Sequence, residues 1–351
     1  MSWLKTLARP DILSLKAYEH AAWEGGLARL HANELPWRAA EDDSLAGLNH
    51  YPEPQPQALI ERLAELYSVG REMLLVTRGS DEAIDLLVRA FCRAGQDAVL
   101  VCPPTFGMYA VAAHIQGAKV IQIPLKATAG FSLDVGALLA HCTNAVKLVF
   151  LCSPNNPTGN LLGEAAILQV VDALAGRALV VVDEAYIEFS ARASLASLVA
   201  TRPQLAVLRT LSKAHGLAGA RLGTLIADPE IIALLRKLIA PYAIPQLILE
   251  TVHRLLSPTH LRGLRRRIRA IASERDRLQQ ALGNLKGVTA VLPSEANFLL
   301  ARFVDPTAAA ERARGAHVLV RDVRSYPGLE DALRITVGTP AQHARLLKAW
   351  A

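Results

Sequence analysis

Short apolar segments alternate with longer segments of helical spacing through the middle of the chain. Seven of the short segments consist almost wholly of apolar residues, as strands do when both faces of a sheet are covered. They are residues 73–76, 98–102, 119–123, 147–152, 179–183, 205–208 and 224–227. Segments of helical spacing lie between several of them, at 80–93, 107–116 and 164–175. This alternation predicts an α/β fold with a mostly parallel central sheet flanked by helices.

The pattern changes near residue 257. A long segment rich in both charges predicts one long helix, and short apolar segments follow at 288–292, 298–302, 317–320 and 333–337, before a final helix. Such an order predicts a smaller α+β domain. The first 49 residues are rich in loop-forming residues. We therefore expect three parts, namely an N-terminal arm with part of the small domain (1–49), a large domain (50–256) and a small C-terminal domain (257–351).

The composition is that of a globular enzyme. The chain has 351 residues, of which 52% are hydrophobic and 20% charged, and this balance excludes a disordered or fibrous protein. No apolar segment reaches the roughly 18 residues that span a bilayer. The first ten residues lack the apolar core of a secretory signal. We expect a cytoplasmic protein.

Charge and cysteine content narrow the possible functions. Much of the net charge of +6 lies in residues 261–270, which predict the solvated basic face of a helix. No nucleic-acid-binding motif accompanies this charge, so we expect no nucleic-acid partner, and a basic surface also suits anionic substrates. The four cysteines form no CxxC pair and the ten histidines are scattered. We expect buried free thiols and no metal site.

The segment from Leu208 to Gly223 carries the most informative chemistry. Lys213 follows a hydroxyl residue and precedes a series of small and glycine residues, and Arg221 lies eight positions later. A lysine amine that its surroundings keep deprotonated can form a Schiff base, and an arginine can hold a phosphate through two hydrogen bonds. Together they suggest a lysine that binds pyridoxal phosphate. An ordinary surface lysine beside a helix start is the alternative interpretation.

Two further segments follow predicted strands. Gly79 supplies a turn, and Ser80 or Asp81 caps a helix whose free N–H groups can bind phosphate. Phe106 is placed at the carboxyl end of a strand, where ligands collect in open α/β sheets and an aromatic ring can stack on a planar cofactor. A plain capped helix and a core phenylalanine are the corresponding structural interpretations.

Three polar residues follow the next two strands. Asn156, in a loop fixed by two prolines and a glycine, can offer its amide to a ring hydroxyl or a substrate carboxylate, although a turn asparagine is the simpler interpretation. Asp183 ends an apolar strand, where a carboxylate is costly unless paired, and can pair with a protonated pyridine nitrogen. Tyr186 can hydrogen-bond the ring hydroxyl. A magnesium-binding Asp-Glu pair is excluded because the chain has no GxxxxGK[ST] loop.

Two arginines near the C-terminus are candidates for binding anions. Arg334 lies in an apolar strand and can clamp a substrate carboxylate in a fork geometry, and Arg321 is a second candidate. Either is also compatible with a surface side chain whose stem covers apolar neighbours.

Taken in order, these motifs resemble those of the fold-type I pyridoxal-phosphate enzymes of the aspartate aminotransferase superfamily, and within it the histidinol-phosphate aminotransferase family. The resemblance extends from about residue 30 to the C-terminus. It is carried by six strings: LNHYPEPQ (48–55), CPPTFGMY (102–109), SPNNPTG (153–159), VDEAYIEF (182–189), RTLSK (209–213) and LRITVGT (333–339).

The resemblance implies a role for each matching residue. Lys213 corresponds to the Schiff-base lysine that also moves the substrate proton, Asp183 to the partner of the pyridine nitrogen, and Phe106 to the stacking ring. Asn156 and Tyr186 correspond to the residues on the ring oxygen, and the phosphate-binding residues correspond to Gly79, Ser80, Asp81, Ser212 and Arg221.

The resemblance also implies a shared site in a homodimer. Tyr51 corresponds to a tyrosine that reaches the cofactor phosphate of the neighbouring subunit, and Arg334 to the arginine that recognises the glutamate carboxylate. Arg321 and Tyr18 are candidates for the substrate phosphate. The chain departs from the family pattern at His215, where phenylalanine is common, and at Ala17, where proline usually precedes the tyrosine.

The implied reaction is a reversible amino transfer from glutamate to imidazole-acetol phosphate, which yields 2-oxoglutarate and histidinol phosphate for histidine biosynthesis. An aromatic amino-acid aminotransferase and a threonine-phosphate decarboxylase are alternatives with the same fold. A non-enzymatic, aminotransferase-like regulator is a more remote one.

Overall fold

A computed structural model describes residues 3–21 and 27–351 of the chain. In these residues, seven strands form a central sheet: Leu74–Thr77 (β1), Ala98–Val101 (β2), Lys119–Gln122 (β3), Val146–Cys152 (β4), Leu179–Asp183 (β5), Leu205–Thr210 (β6) and Gly223–Ile226 (β7). Their order across the sheet is β1-β7-β6-β5-β4-β2-β3. Each lies within three residues of the segment that the apolar pattern predicts.

Helices connect and flank these strands. The α-helices are Leu4–Leu7 (α1), Pro10–Ser14 (α2), Gln57–Tyr67 (α3), Ser80–Phe91 (α4), Met108–Gln116 (α5), Val135–His141 (α6), Glu164–Ala173 (α7), Pro229–Leu235 (α8), Gln246–Leu255 (α9), Pro258–Gly283 (α10), Pro306–Gly315 (α11) and Pro340–Trp350 (α12). The predicted long charged helix is α10. None of the helices in the described part of the chain has the length and apolarity that a membrane crossing requires.

The direction of the strands brings their functional ends to one edge of the sheet. The pairs β2–β3, β2–β4, β4–β5 and β5–β6 are parallel, whereas β7 runs antiparallel to both β1 and β6. Residues that follow β2, β4, β5 and β6 therefore share an edge with residues that precede β7. The predicted mostly parallel α/β sheet is confirmed.

Alternating side chains of the central sheet form two separate apolar layers. Leu100, Val149 and Val180 belong to the layer on one face, and their sequence neighbours Val99, Phe150 and Val181 belong to the layer on the other. Because both faces are covered by helices, the strands are apolar at almost every position. Nearly all of these side chains are completely buried, which makes the sheet a rigid base for the residues at its edge.

A second, antiparallel sheet lies in the C-terminal part of the chain. Its strands are Val288–Val291 (β8), Phe298–Phe303 (β9), Arg321–Asp322 (β10) and Ala332–Thr336 (β11), in the order β10-β11-β9-β8. The predicted strand at 317–320 is wrong. His317 has a left-handed backbone conformation, with φ of 56°, which a strand does not adopt. The chain pairs with β11 only from Arg321 onward.

Candidate active site

A cleft of about 460 Å³ opens at the edge where the parallel strands end. The segments that follow β1, β2, β4, β5 and β6 line one side, and β10, β11 and the turn between them line the other. The sequence-predicted residues among its lining are Ser80, Asp81, Phe106, Asn156, Asp183, Tyr186, Ser212, Lys213, Arg221, Arg321 and Arg334. The fold thus brings together residues as far apart in the sequence as Ser80 and Arg334, which are 254 positions apart.

Lys213 lies just beyond the end of β6 and is open to the cleft. Partial burial lowers the pKa of its amine, and the nearby positive charge of Arg334 lowers it further. Its Nζ atom lies 5.6 Å from the centre of the Tyr186 ring. A lowered pKa increases the fraction of neutral amine, which is the form that attacks a carbonyl carbon.

Asp183 is the last residue of β5 and is almost completely buried. Burial raises the pKa of its carboxyl group to about 6. Two donors oppose this effect: the Tyr109 hydroxyl lies 2.7 Å from Oδ2, and the Ala185 backbone N–H lies 3.1 Å from Oδ1. A buried carboxylate at this edge is suited to a positively charged group that enters the cleft.

Asn156 connects the two sides of the cleft. Its Nδ2 donates to the Tyr186 hydroxyl at 3.3 Å, and its Oδ1 accepts a short hydrogen bond from Nη1 of Arg334. The guanidinium of Arg334 also lies 5.1 Å from the centre of the Phe298 ring. The Nε atom of Arg334 is buried and has no hydrogen-bond partner among the described residues, so this arginine keeps a donor for a further anionic group.

The N-terminus of α4 and the loop before β7 form a cradle of donors. Arg221 donates from Nη1 to the Ser212 hydroxyl at 3.3 Å and from Nη2 to the Asp81 carboxylate at 3.1 Å. Gly79, with φ of 78°, is the N-cap of the helix, which has no side-chain cap, so the expectation that Ser80 or Asp81 caps it is wrong. A Cβ atom on Gly79 would lie 2.6 Å from Nη2 of Arg221. The free N–H groups of the first helical turn and the guanidinium together suit a phosphate.

Arg321 and Arg334 are direct cross-strand partners in β10 and β11, and both line the cleft. Like charges at directly opposed positions on neighbouring strands destabilise a sheet. Both side chains carry a guanidinium cation. An anion between them would remove this repulsion, so the small-sheet side of the cleft is suited to anions.

Two predicted residues lie away from this cleft. Tyr51 is half-exposed and stacks on Tyr242, with ring centres 4.6 Å apart and an interplanar angle of 19°. Tyr18 is 68% exposed and lies edge-on to His20, which in turn contacts Tyr242. Their roles toward a neighbouring subunit and toward the substrate phosphate remain predictions.

Sequence reasoning missed two tyrosines. Tyr109 donates to Asp183 from the first turn of α5, and Tyr326, in the turn after β10, lines the cleft with its hydroxyl near Gly107. The signal for Tyr109 was a tyrosine in a helix of mostly small and apolar residues, three positions after Phe106. Tyr326 had no comparable signal because its contact depends on how the two sheets face each other.

Comparison with known proteins identifies related chains. Residues 30–349 match the family "aminotransferase class I and II". The chain is 50% identical over 348 residues to a histidinol-phosphate aminotransferase of Stenotrophomonas maltophilia, covering 98% of this chain and 95% of the relative.

Two solved structures share the fold. A histidinol-phosphate aminotransferase from Sinorhizobium meliloti, in complex with pyridoxal-5'-phosphate, has a TM-score of 0.78 at 24% identity, covering 86% of this chain and 82% of that one. An L-threonine-O-3-phosphate decarboxylase from Porphyromonas gingivalis has a TM-score of 0.73 at 27% identity, covering 86% and 90%. From the family match and the near-complete relative, the chain belongs to the aminotransferase class I and II family.

Proposed function

We propose that this chain is a pyridoxal-phosphate-dependent histidinol-phosphate aminotransferase. It transfers the amino group of glutamate to imidazole-acetol phosphate, which yields 2-oxoglutarate and histidinol phosphate, and it runs the reaction in both directions. The substrate assignment is supported by the relative that is 50% identical over 98% of the chain.

The residues of the cleft fit pyridoxal phosphate from end to end. The phosphate would lie on the first turn of α4 with Ser212 and Arg221, and Gly79 leaves room because a side chain there would collide with Arg221. The buried carboxylate of Asp183 would face the ring nitrogen, and Asn156 with Tyr186 would face the ring hydroxyl. Phe106 would cover the ring, and Lys213 stands where it can reach the aldehyde. When bound, the cofactor supplies an aldehyde that carries the amino group and a ring that withdraws electrons.

The other side of the cleft suits two kinds of anionic substrate, one with a carboxylate and one with a phosphate. The opposed pair of Arg321 and Arg334 is the observation that carries this part of the proposal. Arg334, held by Asn156 and over Phe298, orients a carboxylate through its fork. Arg321 adds a second positive charge for the phosphate of the other substrate. Lys213 then moves the proton at the substrate carbon, because its amine has a lowered pKa and faces the same space.

The decisive test is a single half-reaction of the purified protein, loaded with pyridoxal phosphate, with histidinol phosphate. We expect the visible absorbance of the bound cofactor to be replaced by that of pyridoxamine phosphate, and 2-oxoglutarate to restore it. A Lys213→Ala variant should lose the visible absorbance and essentially all turnover. Turnover by Lys213→Ala would contradict the proposal.

The same assay separates the alternatives. Release of carbon dioxide from O-phosphothreonine, without a keto acid, would instead support a decarboxylase. Faster conversion with phenylalanine than with histidinol phosphate would support an aromatic amino-acid aminotransferase. A protein that binds cofactor but converts none of these amines would fit a regulator.

We further propose that the enzyme is a homodimer with shared sites. Several large apolar side chains of the N-terminal segment are exposed, with Leu30 at 94%, Leu45 at 79% and Trp37 at 77%. Exposed apolar side chains grouped in one segment support an interface with a second subunit. Tyr51 lies in the same segment, outside the cleft of its own chain, and would reach the cofactor phosphate of the second subunit.

Mixing two inactive variants tests the shared site. Lys213→Ala removes the lysine of a site, and Tyr51→Ala removes the residue that would come from the other subunit. In a hybrid dimer one site carries both changes and the other carries none, so an equal mixture should recover about a quarter of the wild-type sites. Absence of recovery after subunit exchange would show that Tyr51 does not act across the interface.

Domain organisation and location complete the proposal. We propose a cofactor-binding domain at 50–256, a small domain at 257–351 and an arm at 1–49, in keeping with one sheet at 74–226 and another at 288–336. We also propose that the enzyme works in the cytoplasm. All four cysteines are buried and free, as is common for proteins of a reducing compartment.

A further inference from the structure

Tyr109 lies behind the cleft and contacts the buried carboxylate of Asp183. Its side chain is completely buried, and its hydroxyl donates to Oδ2 of Asp183 at 2.7 Å. The other carboxylate oxygen accepts from the backbone N–H of Ala185 at 3.1 Å. Among the described residues, Tyr109 is therefore the side chain that donates a hydrogen bond to this carboxylate.

The ring of Tyr109 is held on two sides. It stacks on Phe150, with centres 4.8 Å apart and an interplanar angle of 5°, and it meets Phe106 edge-on at 5.6 Å. Phe150 belongs to β4, and Phe106 to the loop before α5. Packing on both sides restricts the ring to one orientation, so the hydroxyl points at Asp183 without a large loss of side-chain entropy.

The chemistry of the two groups fixes the direction of this hydrogen bond. Burial, followed by the negative charge of Asp183, raises the pKa of the Tyr109 phenol well above its ordinary value, so the phenol remains protonated and donates. A hydrogen bond to a carboxylate favours its charged form, against the burial that raises the pKa of Asp183. Only the charged form of Asp183 attracts a protonated ring nitrogen.

We propose that Tyr109 is a positioning residue that keeps Asp183 ionised and oriented toward the ring nitrogen of the cofactor. It acts through Asp183 and touches neither substrate nor the reacting atoms. The same side chain also packs against Phe106. Tyr109 would therefore support both Asp183, which pairs with the ring nitrogen, and Phe106, which covers the cofactor ring. We make this inference on the basis of the proposed binding of pyridoxal phosphate.

The test compares two cofactors in two variants of the full chain. Tyr109→Phe removes only the hydroxyl and keeps both ring contacts. The cofactor analogue 1-deaza-pyridoxal phosphate has a C–H group in place of the ring nitrogen, so nothing remains for Asp183 to pair with. Dissociation constants of the cofactor-free protein are measured by absorbance. Tyr67→Phe, the same change at a buried tyrosine outside the cleft, is the matched control.

We expect Tyr109→Phe to weaken binding of pyridoxal phosphate about tenfold, as the loss of a hydrogen bond to a charged group does, and to leave binding of the deaza analogue unchanged. Tyr67→Phe should change neither constant. In an Asp183→Asn background, Tyr109→Phe should have no further effect on either. Equal weakening of both cofactors, or weakening of neither, would overturn the inference, because a purely structural role does not distinguish a nitrogen from a C–H group.

One further variant covers the case in which Tyr109→Phe does not fold, and the wild-type and Lys213→Ala measurements separate this inference from the proposed function. If Tyr109→Phe does not fold, 3-fluorotyrosine at position 109 keeps the ring contacts and provides a more acidic donor. Tighter binding of pyridoxal phosphate with unchanged binding of the deaza analogue then supports the inference, and any other pattern contradicts it. If the wild-type protein binds neither cofactor, or if Lys213→Ala keeps the visible absorbance, the proposed function fails as a whole. Failure confined to the Tyr109 comparison leaves that function intact.

Discussion

The backbone of Gly223 packs directly against the backbone of Gly79. A Cβ atom on Gly223 would collide with the Gly79 carbonyl carbon and would lie 2.5 Å from the amide nitrogen of Ser80. Gly223 begins β7 and Gly79 precedes α4. This contact sets the position of the helix N-terminus relative to the sheet edge, and therefore the position of the N–H groups that would hold the cofactor phosphate.

We expect Gly223→Ala to damage cofactor binding through this contact. The added methyl group must displace backbone, which costs about 1–3 kcal/mol of stability. The displaced amide should lose a hydrogen bond to the phosphate, and the dissociation constant for pyridoxal phosphate should rise roughly tenfold or more. Thermal unfolding of the cofactor-free protein and a cofactor titration measure the two effects separately.

Gly219→Ala is the matched control. A Cβ atom there meets nothing within 4 Å, although Gly219 lies in the same loop. It should leave both the unfolding temperature and the cofactor affinity close to those of the wild type. Unchanged binding in Gly223→Ala would mean that the contact with Gly79 does not control the phosphate site.

The proposed carboxylate clamp at Arg334 should be sensitive to a substitution that preserves the positive charge. Lysine cannot form the fork that arginine offers, and it cannot keep both the hydrogen bond to Asn156 and the contact with Phe298. We expect Arg334→Lys to raise KM for glutamate about tenfold to hundredfold, the equivalent of one lost charged hydrogen bond. Steady-state kinetics with glutamate as the varied substrate measure the change.

Arg302→Lys is the corresponding control on the neighbouring strand β9. Arg302 pairs with Asp331 and does not line the cleft. Its replacement should leave KM for glutamate within about twofold of the wild type, as surface ion pairs contribute little. Equal effects of the two substitutions would argue against a carboxylate clamp at Arg334.

Much of the fold and of the site could be predicted from local patterns. The apolar runs predict the central sheet because its strands are buried on both faces. Polar residues directly after these runs, such as Asp183 and Asn156, are predicted to meet because parallel strands end at one edge. The strand at 317–320 was wrong because apolar alternation there reflects packing of a loop, and the pairing that defines β10 is made by the polar residues 321–322.

Local sequence patterns could not predict the contacts between distant elements. The hydrogen bond from Tyr109 to Asp183 joins residues 74 positions apart, and that from Arg334 to Asn156 joins residues 178 apart. Neither follows from spacing, because each depends on the angle at which a helix or a second sheet meets the edge of the first. The opposed pair of Arg321 and Arg334 likewise appears only once the register of β10 and β11 is known.

The buried carboxyl of Asp183 should give the cofactor-free protein an unusual pH dependence. Its pKa is raised to about 6 by burial, from 3.8, so the folded state holds this proton more tightly than the unfolded state. Stability is therefore lost as pH rises from about 4 to about 6, by up to roughly 3 kcal/mol. The side chain in Asp183→Asn cannot ionise. In urea unfolding, the free energy of unfolding of this variant should therefore rise relative to that of the wild type across this interval.

Asp97 provides a control of opposite sign. Its carboxyl is buried, which raises its pKa, but hydrogen bonds from Arg93 lower its pKa overall. For such a group, stability is present above the unfolded pKa and is lost as pH falls. The free energy of unfolding of Asp97→Asn should therefore fall relative to that of the wild type as pH rises from about 3 to 5. The same trend for both variants would refute the assignment of a raised pKa to Asp183.

His215 should cost the protein stability at its present position. Its Nδ1 atom is buried without a hydrogen-bond partner among the described residues, and burial lowers its pKa. Replacement by phenylalanine, the residue common here in the resembling family, removes the unpaired polar atom. We expect His215→Phe to be about 1–3 kcal/mol more stable at pH 8. The difference should grow as pH falls through 6.5, because protonation then favours the unfolded wild type.

Urea unfolding of the two cofactor-free proteins at pH 8 and pH 5.5 measures both effects. His114→Phe, at an exposed histidine of α5, serves as the control and should shift stability little. If His215→Phe were no more stable than the wild type at either pH, the buried nitrogen would have to be satisfied in solution, and its lowered pKa would need another cause.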